Sequence, residues 1–205
     1  MRKILALAMA LAMVLLIPAC GKSGNGASSA APQSSGALSD NENVAGAVSG
    51  EVRTGLGTVI SLADSKSAND EKPAAAQANV TMCAASFDED GAIISVSIDT
   101  AQCKIAYDEK GQLTTDVDAA VQTKKQLGDN YGMKQVSGIG KEWYEQIEAL
   151  EKWMTGKTVD QVLGMKVTDK EDHPSVPDEA DLTSSVTISV GEYLEALKAA
   201  YNNAG

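Results

Sequence analysis

The residues best suited to chemistry crowd one stretch near the C-terminus, EADLTSSVTISVGEYLEAL at 179–197. Thr183, Ser184, Ser185, Thr187 and Ser189 offer hydroxyls between an acidic turn and a helical pattern. A hydroxyl in such a place has two uses. It satisfies an extended backbone or caps a helix, as Ser189 would with Glu192 three residues on. Or it is esterified and carries a group such as a phosphate. Elsewhere the chemistry is thin. The single histidine, His173, precedes Pro174 in a charged stretch and reads as solvent-facing. With one His and no GxSxG elbow, a serine triad has no base in the right setting. No His–Cys spacing suits zinc. Gly138 and Gly140 in SGIG lack the Lys-Ser/Thr pair of a phosphate loop. The acidic pairs Asp88–Asp90 and Asp169–Asp172 fall in turns, where solvated carboxylates and weak calcium binding are the two readings. No catalytic residue and no metal site is therefore expected.

Those hydroxyls need a scaffold. GLGTVISLAD at 55–64 suits a strand. NVTMCAASF at 79–87 alternates, with Thr81, Cys83, Ala85 and Phe87 on one face and Val80, Met82 and Ala84 on the other. DEDG at 88–91 is a turn signal. Ile94, Val96 and Ile98 follow in phase, then Ala101, Cys103, Ile105 and Tyr107. This predicts an antiparallel meander of three or four strands with one buried face. If the middle strand pairs with both neighbours, Cys83 and Cys103 both face Val96, roughly 10 Å apart. A disulfide needs Cα atoms within about 7 Å, so two buried free thiols are expected.

Beyond Asp116 the period changes. Val117, Ala120, Val121 and Leu127 predict a helix, and DNYGMKQVSGIG at 129–140 a glycine-broken loop. Trp143, Ile147, Leu150 and Met154 repeat at i, i+4, i+7 and i+11, the clearest helix in the chain, ended by Gly156. Thr158 and Gln161 stand at capping-box spacing. KVTDKEDHPSVPDEAD at 166–181 reads as a long acidic loop. The last helix would bury Leu194, Leu197 and Tyr201. Strands first and helices after predict an α+β domain, an antiparallel β-meander sheet with three to four helices packed on one face. Aromatic content is 4%, so aliphatic residues must make most of the core.

Asp181, Ser184 and Thr187 share a spacing that resembles the flavinylation motif of the FMN-binding domain family: Asp, two variable residues, Ser or Thr, Gly, Ala, Thr. Ser185 replaces the family's glycine and Val186 its alanine. The family includes flavin subunits of ion-pumping quinone reductases and related extracytoplasmic lipoproteins. The resemblance implies FMN joined through its phosphate to Thr187 by a flavin transferase, with Asp181, Ser184 and Ser185 around the attachment. DGAI at 90–93 and a final helix just after the motif fit the same likeness. Residues 123–134 and 140–158 are also similar to a group of lipoproteins of gut Firmicutes, over most of 53–203. A phosphate on Thr187, two residues before the expected cap, would meet free backbone N–H groups and the helix dipole, worth about 0.3–1 kcal/mol when exposed. Tyr131, Met133 and Trp143 are candidate walls for the flavin ring, each with plain packing as the other reading.

The beginning of the chain bears on its address. Arg2 and Lys3 precede the apolar run ILALAMALAMVLLI at 4–17, too short for a stable membrane span. IPAC follows at 17–20 and resembles a bacterial lipobox, with Ala19 before a Cys20 that would be acylated. Residues 1–19 then form a lipoprotein signal peptide, and 20–50 the lipidated Cys20 with a Gly/Ser/Ala-rich tether. Residues 51–205 form one globular FMN-binding-like domain. About thirty flexible residues reach roughly 30 Å. Without residues 1–19 the chain has 15 basic and 28 acidic residues, a net charge of −13. Such a chain is repelled by nucleic acid, and it would meet the membrane through its acyl chains. The expectation is an extracytoplasmic, lipid-anchored flavin-based electron carrier with a flavin transferase and redox partners. The alternative is a cofactor-free lipoprotein that binds a small ligand or a partner protein.

Overall fold

The structure, a computed structural model, describes residues 50–170 and 173–205. The expected signal peptide, the lipidated Cys20 and all but the last residue of the tether lie outside the described residues. Strands β1 (Arg53–Ser61), β2 (Ala75–Phe87) and β3 (Ile93–Ala106) form an antiparallel meander in that order. Helices α1 (Lys124–Leu127), α2 (Trp143–Met154), α3 (Val159–Leu163) and α4 (Gly191–Asn202) follow, with a hairpin of β4 (Val167–Lys170) and β5 (His173–Pro177) between α3 and α4. The domain is α+β, as the order of patterns predicts.

Alternation decides which face of the sheet is covered. Thr81, Cys83, Ala85 and Phe87 are all buried, and the neighbours between them face outward. On β3 a register shift opposite Ser86 and Phe87 brings Ile93 into the core, where Ile94 was expected. No turn separates the two apolar runs of β3, so there are three strands in this sheet. Cys83 pairs with Ile98 and Cys103 with Ala78, on opposite faces. Both thiols are free, for this reason and not because both face Val96, and Cys103 is only half-buried. Burial first, and then Glu151, pushes the Cys83 thiol up to about 12. It therefore stays protonated and packs as a small apolar group.

Helix α2 buries Trp143, Ile147, Leu150 and Met154, the stripe its periodicity predicts. Helix α4 buries Tyr193, Ala196, Leu197 and Ala200, while Leu194 and Tyr201 are only half-buried. The rotation has a cause in β1. Gly55 and Gly57 present no side chain to α4, and a Cβ at Gly57 would strike the Ala196 carbonyl. The small Ala196 and Ala200 therefore turn inward, and the helix backbone lies directly on the strand.

Three further expectations are corrected. Val117 and Val121 are 64% and 55% exposed, and the helix there is only Lys124–Leu127. Those valines face mostly solvent, and a helix of that length with so little to pack on is marginal. Residues 166–181 are not simply a loop, because Val176 and Pro177 are buried and anchor the hairpin. Ser189 does not cap α4: the N-cap position is Val190, with no side-chain cap. By contrast, Thr158 does form its capping box with Gln161.

Candidate functional site

The hydroxyl-rich segment folds as a tight turn and then runs to α4. The N–H groups of Leu182 and Thr183 donate to Glu179 O, and those of Ser185 and Val186 to Leu182 O. Leu182 and Val186 are buried and pin this turn to the core. Asp181 and Ser184 are thereby left in solvent and Ser185 at the boundary. Thr187 leaves the turn half-buried, and its backbone N–H and hydroxyl both donate to Gln146 Oε1, at 2.9 and 3.3 Å.

Gln146 belongs to α2 and is fully buried. Its Nε2 reaches Lys141 O at 3.4 Å, with Ser137 Oγ and Met133 Sδ each at 3.5 Å. It thus ties Thr187 to the glycine-broken loop. That loop is fixed a second time by Glu142, also buried, whose carboxylate accepts the N–H groups of Met133 and Lys134 at 2.9 and 3.0 Å. The same carboxylate caps α2 in a capping box with Glu145. Two buried polar side chains at the start of one helix therefore set the loop against Thr187.

Between them lies a cavity of about 320 Å³ lined by Met133, Val136, Ser137, Gly138, Gln146, Lys170, His173, Thr187 and Ile188. Lys170 and His173 come from the two strands of the hairpin, Ser137 and Gly138 from the loop. The lining suits an anion, since it includes the exposed Lys170 and His173 and the hydroxyls of Ser137 and Thr187. The acceptor of the Thr187 hydroxyl is a carboxamide oxygen, which orients the group but takes no proton at neutral pH.

Of the four motif residues, only Thr187 lines this cavity; Asp181, Ser184 and Ser185 do not. The first turn of α4 lines a different cavity, of about 380 Å³, with Asp64, Pro174, Ser175, Ser189, Gly191, Glu192 and Tyr193. An anion at Thr187 would therefore be met by Lys170 and His173 and not by the α4 amides. Glu192, free of capping duty, accepts instead from Thr81 Oγ1 at 3.2 Å. Among the candidate ring walls, Met133 lines the Thr187 cavity. Trp143 is buried, edge-on to Tyr193, and donates its Nε1–H to Tyr193 Oη at 3.0 Å. Tyr131 is half-buried on the side of Lys124.

Sequence reasoning missed Gln146, Ser137, Lys170 and His173 as site residues. A trace was present in SGIG, whose first two residues line the cavity. For Lys170 and His173 no local signal existed, because the hairpin that carries them was not recognised.

These features define a small α+β domain with a cavity lined by Lys170, His173, Ser137 and the half-buried Thr187. No protein-family model matches the chain, and no solved structure matches it. The chain is 36% identical over 97 residues to a chlorophenol reductase of Desulfitobacterium hafniense, a match covering 41% of this chain and 29% of that protein. The chain thus spans about three tenths of the length of that curated relative.

Proposed function

We propose that this protein is a cell-surface lipoprotein whose domain carries FMN on Thr187 and passes electrons between a membrane donor and a soluble acceptor. The observation that carries the reading is the position of Thr187. It stands half-buried at a cavity that also holds Lys170, His173 and Ser137. A threonine sealed in the sheet would have ended the idea.

The residues fit the phosphate end of FMN. Lys170 supplies charge, His173 and Ser137 supply hydrogen-bonding groups, and Gly138 keeps the wall low where backbone must approach. Met133 and Val136 supply apolar surface for a ring, and Val136 is 84% exposed. A flavin held there would face solvent on one side, which suits exchange of electrons with a partner. The bound flavin supplies the redox chemistry; the chain binds and orients it. In this reading a separate flavin transferase makes the ester. The partial likeness to a protein named as a reductase is consistent with a role in electron transfer.

The test is mass spectrometry and absorbance on protein made with and without a flavin transferase. The expected result is a yellow protein heavier by FMN less water, with Thr187→Ala losing both and Thr187→Ser keeping them. A colourless protein of unchanged mass, with no change in melting on adding FMN, overturns the reading and leaves the cofactor-free binding protein.

A further inference from the structure

The two faces of the three-stranded sheet have different fates. One packs Cys83, Ala85, Phe87 and Ile98 into the core with α2, α3 and α4. The register fixes what stands on the other. Leu56 lies beside Ala84 and Ser97, Thr58 beside Met82, and Ile60 beside Val80. This face is open at β1: Leu56 and Ile60 are 60% and 65% exposed, and Thr58 and Ala84 are exposed with them. Helix α1 reaches only its rim on β3, where Lys125 Nζ stands 3.1 Å from Ser97 Oγ.

The relief of this face has two halves. At one end small side chains leave a hollow of about 560 Å³, with Leu56 on its wall, Ala84 in its floor and Ser86 and Ser95 beyond. Those two serines satisfy one another at 2.7 Å, so the hollow needs no polar partner. At the other end the bulkier Ile60, Val80 and Met82 stand together as a ridge. Charge sets this face apart as well. The chain carries −11, which drives copies of it apart. Yet no charged residue occurs at 54–61 on β1 or anywhere along β2. Charge enters only on the β3 side. Asp99 accepts the N–H groups of Thr100 and Lys125, and Lys125 pairs with Glu151 at 2.7 Å.

We propose that two copies of this chain associate through these open faces, sheet on sheet, as a reversible two-fold dimer. The two-fold axis sets the Ile60, Val80 and Met82 ridge of each copy into the hollow of the other, so one surface supplies both halves of the contact. Sheets packed in this way lie about 10 Å apart. The fold disfavours the other route to a dimer, pairing of β1 with β1 at the sheet edge. Helix α4 lies directly on Gly55 and Gly57, so antiparallel edge pairing would bring the two α4 helices to about 5 Å. Packed helices need about 8–10 Å. The open face measures about 14 Å by 30 Å, or about 400 Å² per copy before side-chain relief. That is at the small end for specific interfaces, hence a weak dimer. This inference does not rest on flavin at Thr187, whose cavity draws no residue from β1, β2 or β3.

The experiment is sedimentation equilibrium of the full chain from about 1 μM to about 1 mM, at low and at high salt. The expected result is a monomer–dimer equilibrium that tightens as salt rises. Salt screens the repulsion between two acidic chains, and the apolar contact has no ion pair to lose. Ile60→Lys puts a charge into both symmetry-related contacts and should weaken association about tenfold or more. Val117→Lys makes the same change of charge at a residue 64% exposed and outside the sheet, and should leave association unchanged. Circular dichroism checks that both variants are folded. A chain that stays monomeric throughout overturns the proposal. So does association that salt weakens. So does association that the two variants leave alike, which would place the contact elsewhere, as in the apolar run at 4–17.

Discussion

Gln146 Oε1 receives both the backbone N–H and the hydroxyl of Thr187, at 2.9 and 3.3 Å, from the buried face of a different element. One amide group therefore holds the threonine and, through Nε2, the loop opposite it. Gln146→Leu keeps the volume but leaves the Thr187 N–H without a partner. An unsatisfied buried group of this kind costs about 1–3 kcal/mol. Urea denaturation should show that loss, and Thr187→Val should lose less, because it keeps the backbone bond.

Lys170 and His173 in the cavity lead to a prediction about ligand selection. Lys170 and His173 line it from opposite strands of the hairpin. If they hold a phosphate, the apo domain should prefer FMN to riboflavin, and Lys170→Gln should narrow that preference. One lost charge-assisted contact near the surface corresponds to about three- to tenfold. Titration of both flavins at low and high salt would show it. Equal loss for the two flavins would mean that Lys170 does not meet the phosphate.

What was legible in the sequence follows from how local each signal is. Trp143, Ile147, Leu150 and Met154 announce α2 because a single face does the burying. In α4 the same reasoning chose Leu194 and Tyr201, and the contact that overrules it is with Gly55 and Gly57, more than a hundred residues away. Val117 and Val121 show helical spacing, yet spacing without a surface to pack on makes no helix. The hairpin was hidden by acidic residues and by Pro174 and Pro177, which sit at strand positions that tolerate proline. Thr187 was singled out from its spacing alone, whereas its surroundings required Gln146 and the hairpin to arrive from elsewhere in the chain.

Gly57 carries a sharp stability prediction. Its added Cβ would strike the Ala196 carbonyl oxygen and crowd the Ala200 N–H, both backbone atoms that cannot swing aside. Gly57→Ala should therefore push α4 off the sheet, at about 1–3 kcal/mol or more. Gly138→Ala is the control, since a Cβ there meets nothing within 4 Å. Chemical denaturation of both should separate them clearly. Comparable stability would mean that α4 does not lie as closely on β1 as the structure has it.

Lys124 Nζ lies between the Tyr131 and Trp143 rings, 5.0 and 5.2 Å from their centres, in a cage that makes stability depend on pH. In the folded chain its amine titrates near 8, against 10.5 for an unburied lysine. Between those values the unfolded chain holds a proton that the folded chain has released. Stability contributed by this group therefore rises as pH climbs from 8 to 10.5. Cys83 and Tyr193, both pushed up to about 12 by burial, act in the opposite direction at high pH. They act alike in a Lys124→Met variant, so their effects cancel in the difference. The wild-type chain should gain on Lys124→Met across that window, by on the order of 1–3 kcal/mol. Urea titrations of both chains at pH 7.5, 9 and 10.5 measure the gap directly. A gap that stays flat would mean that the ammonium keeps its ordinary basicity and that the cage is open to water.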